Sequence, residues 1–440
     1  MEGRYVRGYD DEGNHVVADE DGNRVVDPIE TMHITHGFSK DHRPDLKQFM
    51  DGTVVNQDGI PLISRPLDGN TADSEWNRKA LELLKQTLID EGIIYVADSK
   101  LINEPLVSSM MADGIWFLSR CPANFADKLQ SKVLEEADYD GMIYVPPASK
   151  KKDSAKRRVV ESPVDFNGEC LRALVVETST FAGKGDKAVE KARASFDAAL
   201  KKLPKQYSCQ KDAVAAFERF RKKASKSIFD VSAEYIHDIV ESRPRGRPRK
   251  DGTDIRRADV WTLDIDVQAN PEKERTLRLA EEHIVLLSNV ADKESDPEKG
   301  MDASDLVRLY ANEWKVECHF KTKKTPMMVE RLFIKDLGRA DALVNVINMA
   351  ALIKAVIQLL IRRGLRSVPD EDLPRCGYGL GPLQRQVTTD FFVDSCMNCY
   401  IRYDKRSNSY EVMGDEKDCR ASAYLSLIGI PEEKLFTPSL

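Results

Sequence analysis

The segment Gly92-Ile-Ile-Tyr-Val-Ala-Asp98 is an apolar run without polar alternation, and it ends on a carboxylate. A run of this kind is typical of a β-strand that is buried on both faces of a sheet. The preceding residues 76–91 place apolar side chains at helical spacing, and Gly92 is suited to end that helix. We therefore predict an amphipathic helix followed by a buried strand, with Asp98 at the C-terminal end of the strand.

Strand patterns also surround this segment. Two short β-prone runs within residues 52–68 flank Asp58-Gly59, which is a strong signal for a β-hairpin. Further strand patterns occur at residues 114–119, 142–145, 158–161 and 283–289. The order strand, strand, helix, strand favours an α/β fold with a mixed sheet flanked by helices.

Helical patterns dominate the rest of the chain. Residues 180–241 are charged and helical, which we interpret as an insertion, and residues 243–252 form a basic loop. One long helix is predicted from about residue 306 to 323 and another at 339–363, ended by Gly364. The side of the latter that is predicted to face the core carries Met349, Ile353, Val356, Ile357 and Leu360. The side predicted to face away carries Asn348, Lys354 and Gln358.

The composition is that of a globular protein. The chain of 440 residues is 41% hydrophobic, enough for a substantial core, and its net charge is −7. The apolar residues 350–361 are interrupted by Lys354 and are too short a stretch to cross a bilayer. No apolar signal segment follows Met1. We predict a cytoplasmic protein without a membrane span.

The eight cysteines are scattered, and only Cys396 and Cys399 have Cys-x2-Cys spacing. No second pair completes a tetrahedral site, so we predict reduced thiols. The alternative is a structural zinc bound by these two residues, Cys419 and a ligand from outside the chain.

Basic residues are concentrated at 150–158 and at 243–257, although the net charge is negative. Such blocks can neutralise phosphates, which is the source of sequence-independent affinity for DNA. The alternative for both blocks is a solvated loop. The uneven distribution keeps nucleic-acid binding open.

The first long helix brings four polar side chains to one face. At about 100° per residue, Tyr310, Glu313, Glu317 and Lys324 fall within about 60° of one another. Glu313 and Glu317 repel each other at i, i+4, so this face is slightly unfavourable without a ligand. A metal ion would remove the repulsion, and Lys324 would suit a neighbouring phosphate. The alternative is an ordinary exposed face.

This helix resembles the Tyr-x2-Arg-x3-Glu-x6-Lys signature of bacterial insertion-sequence transposases with a ribonuclease-H-like catalytic domain, although Glu313 stands at the arginine position. Residues 35–48, Thr-His-Gly-Phe-Ser-Lys-Asp-His-Arg-Pro-Asp-Leu-Lys-Gln, resemble the His-Gly-x-Ser-Lys-Asp-x-Arg-Pro-Asp-Leu block of one branch of that family. Residues 68–73 and 96–98 resemble its next two blocks. The resemblance covers most of residues 31–365, in the family's order.

The resemblance implies that Asp98 and Glu317 are the second and third members of an Asp-Asp-Glu triad that binds two Mg²⁺ ions. Hard oxygen ligands suit magnesium, and paired ions can activate an attacking oxygen while stabilising a leaving one. The implied activity is cleavage of double-stranded DNA at the ends of an insertion sequence, followed by strand transfer into target DNA. A homo-oligomer acting on paired DNA ends is also implied.

The first aspartate of this branch lies on a strand before the His-Gly block, in an Asp-x-Thr-like context. Residues 1–30 contain aspartates only in polar, glycine-containing turns. We therefore expect an N-terminally shortened transposase. The alternative is a catalytically incomplete fragment that only binds DNA or acts as a regulator.

The resemblance also divides the chain. The N-terminal part of the ribonuclease-H-like core is predicted at 1–125, an inserted region at 126–280, the C-terminal part of the core at 281–365 and an appendage at 366–440. Within the insertion, residues 243–250, Arg-Pro-Arg-Gly-Arg-Pro-Arg-Lys, resemble the AT-hook, whose extended core lies in the narrow minor groove of A·T-rich DNA. The implied DNA-binding residues are Arg245, Gly246, Arg247 and Arg249. A plain basic linker is the alternative.

Overall fold

The computed structural model of the protein describes residues 16–18, 24–26, 32–38, 43–87, 93–126, 128–147, 155–225, 227–242, 256–324, 334, 336–373, 387–390, 400–407, 409–413 and 426–429. The chain divides into two compact units. The continuous unit is Asp90–Ala311, and the split unit combines Met1–Ile89 with Asn312–Leu440.

Both units contain strands and helices among the residues that the structure describes. The strands are β1 (Val16–Ala18), β2 (Arg24–Val26), β3 (Met50–Val55), β4 (Pro61–Leu67), β5 (Ile94–Ala97), β6 (Trp116–Arg120), β7 (Ile143–Val145), β8 (Arg157–Phe166), β9 (Glu169–Thr178), β10 (Gln206–Tyr207), β11 (Phe229–Ser242), β12 (Arg256–Ala269), β13 (His283–Ser288), β14 (Tyr400–Asp404) and β15 (Ser409–Met413). The α-helices are α1 (Asp73–Thr87), α2 (Glu104–Ala112), α3 (Leu129–Glu136), α4 (Lys184–Lys201), α5 (Gln210–Ala224), α6 (Pro271–Glu282), α7 (Ala303–Tyr310), α8 (Trp314–Lys324) and α9 (Leu337–Arg366).

The continuous unit is built around a six-stranded sheet in the order β5-β6-β13-β9-β8-β7. β5 and β6 are parallel, whereas each of the other neighbouring pairs is antiparallel. Helices flank the sheet. The predicted α/β class with a mixed sheet is therefore confirmed, as are the predicted strands at β6, β7, β8 and β13.

The core of this unit lies at β9 and β13, which have neighbours on both sides. Leu171, Leu174 and Val175 of β9 and Leu287 of β13 are fully buried. β9 is absent from the predicted strands, although it carries the apolar run that such a central position requires. β8 and β9 belong to the same sheet as β5 and β6, although the predicted boundary at residue 125 separates these two pairs of strands in the sequence. The predicted division of the chain stays a prediction.

Arg172 is the main polar group at the edge of this core. Its Nε donates to Glu161 Oε1 at 2.5 Å, and its Nη1 donates to the carbonyl oxygens of Val290, Ala291 and Met301 at 3.0, 3.1 and 2.8 Å. One guanidinium thereby satisfies three backbone carbonyls of the acidic loop between β13 and α7. Hydrogen bonds from a charged donor are about twice as strong as neutral ones, so this side chain fixes the loop.

β5 is the predicted strand, and Asp98 follows it directly. It is the edge strand of the six-stranded sheet. Only Tyr95 is buried within it, and this burial, reinforced by the charge of Asp98, raises the pKa of the tyrosine. Ile94 and Val96 pack on the hydrophobic core of the unit, whereas the alternating side chain of Tyr95 is buried on the other face. Both faces of the strand therefore carry buried or partly buried side chains, in agreement with the prediction.

A second sheet in this unit, in the order β10-β12-β11, corrects a prediction made from the sequence. Helices α4 and α5 confirm most of the helical segment predicted at 180–241, but residues 229–242 form β11 instead. Phe229, Val231, Ala233 and Tyr235 alternate with exposed residues and pack on the aromatic cluster of α4 and α5. Alternation with a period of two is the signature of a strand, and the helical interpretation overlooked it.

In the split unit, β3 and β4 form the predicted hairpin, with the turn at Asp58-Gly59. Gly59 adopts a φ of +83°, a left-handed conformation that glycine accepts without a steric cost. The side-chain oxygen of Asn56 accepts hydrogen bonds from the backbone nitrogens of Asp58 and Ile60, both at 3.0 Å. The hairpin was predictable because its determinants are local.

The His-Gly block (residues 35–48) and the next block (residues 68–73, which begins Asp-Gly-Asn-Thr) pack against each other. Thr35 and Gln48 exchange backbone hydrogen bonds, and the amide of Gly69 donates to the carbonyl of His33 at 3.0 Å. A Cβ on Gly69 would lie 1.9 Å from the Gln48 carbonyl oxygen, and one on Gly37 would lie 2.0 Å from the Gly69 oxygen. Both glycines are thus required by close backbone contact, so much of this motif serves packing.

α9 confirms the second long helix but corrects its orientation and its end. The helix continues past Gly364 to Arg366. The side that packs on the unit carries Ala340, Val344, Ile347, Asn348, Ala351, Ile361 and Leu365. Met349 and Ile353, predicted to face the core, are 64% and 58% exposed. The inward side is polar at Asn348 because a buried cation lies there, as described below.

By length and composition, α9 is also the one described helix that could span a bilayer. Helices in soluble proteins pass the same test. The absence of a membrane span stays a prediction.

Candidate functional site

Asp98 lies in the continuous unit, where β5 turns toward α2. Its Oδ1 accepts a hydrogen bond from the backbone nitrogen of Lys100 at 3.0 Å, and its carbonyl accepts one from Ser119 Oγ at 2.7 Å. The carboxylate is exposed. The turn therefore fixes the side chain at the C-terminal end of a strand and leaves oxygen lone pairs available to a ligand.

The predicted helix through residues 306–323 is interrupted, which corrects the proposed common face. α7 ends at Tyr310, α8 begins at Trp314, and residues 311–313 form a turn. The backbone nitrogens of Lys315 and Val316 donate to the carbonyls of Asn312 and Glu313, three residues back rather than four. Because the turn breaks the regular 100° rotation per residue, the predicted angles between Tyr310 and the residues of α8 do not apply. Tyr310 instead packs on the core of the continuous unit.

α8 itself belongs to the split unit and exposes Trp314, Glu317, Lys321 and Lys324. At about 100° per residue these four side chains lie within an arc of about 100°. Trp314 is 52% exposed, which is unusual for so large an apolar side chain. The face thus combines a carboxylate, two ammonium groups and an aromatic ring.

The opposite side of α8 is anchored by a buried lysine. Lys323 is 1% exposed, and its Nζ lies 2.5 Å from Asp51 Oδ2 on β3. The same ammonium donates to Thr53 Oγ1 at 2.8 Å and to Asn348 Oδ1 on α9 at 3.1 Å. Burial lowers the pKa of Lys323, and the Asp51 carboxylate opposes that shift. One cation therefore ties α8 to a strand and to the longest helix of the unit.

His319 lies one turn earlier on the same buried side. It is 7% exposed, and its Nε2 has no hydrogen-bond partner among the residues that the structure describes. Burial, with the nearby Lys323 charge, lowers the pKa of His319 to about 4. The ring is therefore neutral at pH 7.

The structure thus divides the predicted carboxylates between the two units, with Asp98 in one and Glu317 and Lys324 in the other. Among the described residues, no group of three His, Cys, Asp or Glu side chains is arranged to hold a metal ion. Each of the two carboxylates is exposed and is a hard oxygen donor of the kind that Mg²⁺ prefers.

The AT-hook-like residues Arg245, Gly246, Arg247 and Arg249 lie outside the described residues. The strands on either side of them are described: Ser242 at the end of β11 pairs with Arg256 at the start of β12. Each strand is 14 residues long, and residues 236–242 of β11 and 257–259 of β12 are exposed. In the sequence, residues 243–255, which include the basic segment, join these two strands.

No protein-family model matches the chain, and no curated protein matches it.

Proposed function

We propose that this protein is a transposase-type DNA-processing protein, with a ribonuclease-H-like core and metal-dependent phosphodiester chemistry. The observation that carries the proposal is the exposed face of α8. Glu317 stands there beside Lys321 and Lys324, and Trp314 lies on the same arc. Lysines neutralise phosphates, and exposed aromatic rings stack on bases, so this combination is more typical of a surface that binds a DNA strand than of one that contacts only water.

The roles follow from the chemistry of each group. Asp98 and Glu317 would each offer carboxylate oxygens to Mg²⁺, and Lys324 would neutralise a phosphate next to the reacting one. Bound magnesium would polarise the scissile phosphate and favour ionisation of the attacking oxygen. The buried Lys323 and Asp51 pair supports the proposal by fixing the side of α8 that faces solvent.

Nicking of a supercoiled plasmid in Mg²⁺ or Mn²⁺ tests this proposal. We expect Asp98→Ala and Glu317→Ala each to reduce nicking by about 100-fold or more, because a bound metal contributes several kcal/mol to the transition state. The matched control is Glu82→Ala, which removes an exposed carboxylate of α1 that pairs with Arg78. Equal nicking by the parent chain and Glu317→Ala, or nicking that persists in EDTA, would contradict the assignment.

A second candidate function is that of a DNA-binding regulator without cleavage activity. It is favoured by the sequence, in which no aspartate in an Asp-x-Thr-like context stands before the His-Gly block at residues 35–48. DNA binding without nicking by the parent chain, in either metal, would select this candidate.

The hairpin between β11 and β12 gives a separate DNA-binding prediction. We expect the double variant Arg245→Ala and Arg247→Ala to weaken binding to an A·T-rich duplex by about 10-fold or more, because the narrow minor groove attracts arginine. Binding to a G·C-rich duplex should change less. The control is Lys222→Ala with Lys223→Ala on α5, which removes the same charge from another exposed site. Equal losses on both duplexes, measured by fluorescence anisotropy at moderate salt, would identify a plain basic linker.

A further inference from the structure

The exposed side of α9 carries apolar residues at heptad spacing. Val346, Met349, Ile353, Val356 and Leu360 follow one another at intervals of three and four residues. This is the a and d pattern by which one α-helix packs along another. Val346, Met349, Ile353 and Leu360 are 60%, 64%, 58% and 40% exposed, whereas the opposite side of the helix is buried in its own unit. A complete helix-packing seam is therefore left without a partner among the described residues.

We propose that this seam is the contact surface for α9 of a second copy of the chain. The heptad spacing calls for a partner helix with the same spacing, and α9 itself provides one. The positions that flank the seam are uncharged as well: from Ala342 to Leu360 they are Leu343, Asn345, Ala350, Leu352, Ile357 and Leu359. Two copies can therefore meet along this side without opposing like charges, which in such interfaces decide whether partners are accepted or rejected.

The available area is sufficient for a dimer of moderate affinity. At about 1.5 Å per residue and about 10 Å in diameter, the facing half of α9 from Ala342 to Leu360 offers roughly 500 Å² per copy. The total of roughly 1,000 Å² reaches the lower limit for a specific interface. We expect a dissociation constant in the micromolar range.

A bilayer fits this helix less well, despite its apolar composition. Asn348 accepts a hydrogen bond from the buried Lys323, Lys354 forms an ion pair with Asp390, and Gln358 accepts a hydrogen bond from the Thr389 backbone. Insertion across a membrane would strip these polar groups from their partners, which costs several kcal/mol for each unsatisfied group. Because these contacts fix α9 on its own unit and leave the apolar seam exposed, the seam is suited to a protein partner.

Sedimentation velocity of the full chain at 1 to about 100 μM tests the proposal directly. We expect reversible dimerisation, and Ile353→Glu should raise the dissociation constant by about 100-fold or more, because like charges opposed in a buried contact are strongly unfavourable. The control is Leu62→Glu, which introduces the same charge at a 47% exposed leucine of β4. A monomeric parent chain, or a dimer that persists in Ile353→Glu, would overturn the proposal.

Charge complementation identifies the surface against which the seam packs. We expect Ile353→Glu and Ile353→Lys to be monomeric alone and to form a dimer when mixed, because the two substituted seams then attract each other. Recovery in the mixture supports contact between the two α9 helices, and failure to recover contradicts it. Co-sedimentation of a monomeric parent chain with liposomes of anionic and zwitterionic lipids, lost in Ile353→Glu, would assign the seam to a membrane instead. These outcomes are independent of DNA cleavage, so they stand apart from the proposed function.

Discussion

Replacement of Asp51 by asparagine is expected to lower the free energy of unfolding of the split unit by about 3 to 5 kcal/mol, because breaking a buried ion pair leaves an uncompensated charge. The charge is the ammonium of Lys323, which is 1% exposed. Thr53 and Asn348 still accept hydrogen bonds from it, but neither carries a negative charge.

The double variant Asp51→Asn with Lys323→Met should recover most of this loss. Replacing a buried ion pair by uncharged groups of similar volume is often close to neutral, so we expect it to lie within about 2 kcal/mol of the parent. Glu82→Gln serves as the control, because its pair with Arg78 is exposed and should contribute less than about 1 kcal/mol.

Urea unfolding followed by tryptophan fluorescence measures these differences. Trp76 and Trp314 belong to the split unit and Trp116 and Trp261 to the continuous unit, so Trp116→Phe and Trp261→Phe restrict the signal to the split unit. This separation matters because a chain with two units need not unfold in one step. A loss below about 1 kcal/mol in Asp51→Asn would show that water reaches Lys323 and that the pair does not hold α8 in place.

Gly69→Ala is expected to destabilise the same unit by about 3 kcal/mol, since inserting a methyl group into a closely packed contact costs up to about this amount. The new Cβ would lie 1.9 Å from the Gln48 carbonyl oxygen and 2.8 Å from that of Thr35. The two segments must move apart, which also breaks the paired backbone hydrogen bonds between Thr35 and Gln48.

The control for this substitution is Gly338→Ala, in the first turn of α9. Its Cβ would meet the flexible side chain of Asp336 at 3.3 Å and no backbone atom closer than that. Alanine is the better helix former by up to about 1 kcal/mol, so this variant should be neutral or stabilised. If Gly69→Ala unfolds at the same urea concentration as the parent chain, the prediction is wrong, and residues 35–48 and 68–73 are free to separate in the folded protein.

The two corrections that bear most on the candidate site have physical causes. The outward side of α9 was predicted to face the core because apolar periodicity indicates a contact surface but does not distinguish a contact within the chain from a contact with another molecule. The inward Asn348 looked exposed because its partner, Lys323, lies 25 residues away in sequence. The break after Tyr310 was missed because the turn contains neither glycine nor proline, the residues by which a helix end is usually recognised.

Local signals gave better results than long-range ones. The β3–β4 hairpin, the strand before Asp98, and most of α1 and α9 follow from turn residues and periodicity close to each element. The pairing of β9 with β13, more than a hundred residues later, depends on contacts that a local pattern does not contain. The sequence did not single out four residues of the candidate site: the buried pair Asp51 and Lys323, and Trp314 and Lys321 on the exposed face of α8. Lys323 and Lys324 are adjacent in the sequence, and the sequence alone does not indicate that the first is buried and the second exposed.

The interrupted chain order of the split unit has a consequence for biosynthesis. The continuous unit, Asp90–Ala311, can fold as soon as its last strand and helix leave the ribosome. The β3–β4 hairpin and α1 are synthesised earlier, but their unit cannot complete its folding until α8 and α9, which follow residue 311, have also been synthesised. At about 5–20 residues per second, translation of the intervening stretch takes on the order of ten seconds or more. During that interval β3 and β4 lack the two helices that pack on them in the folded unit, so we expect chaperones to bind the apolar surface that the nascent hairpin exposes.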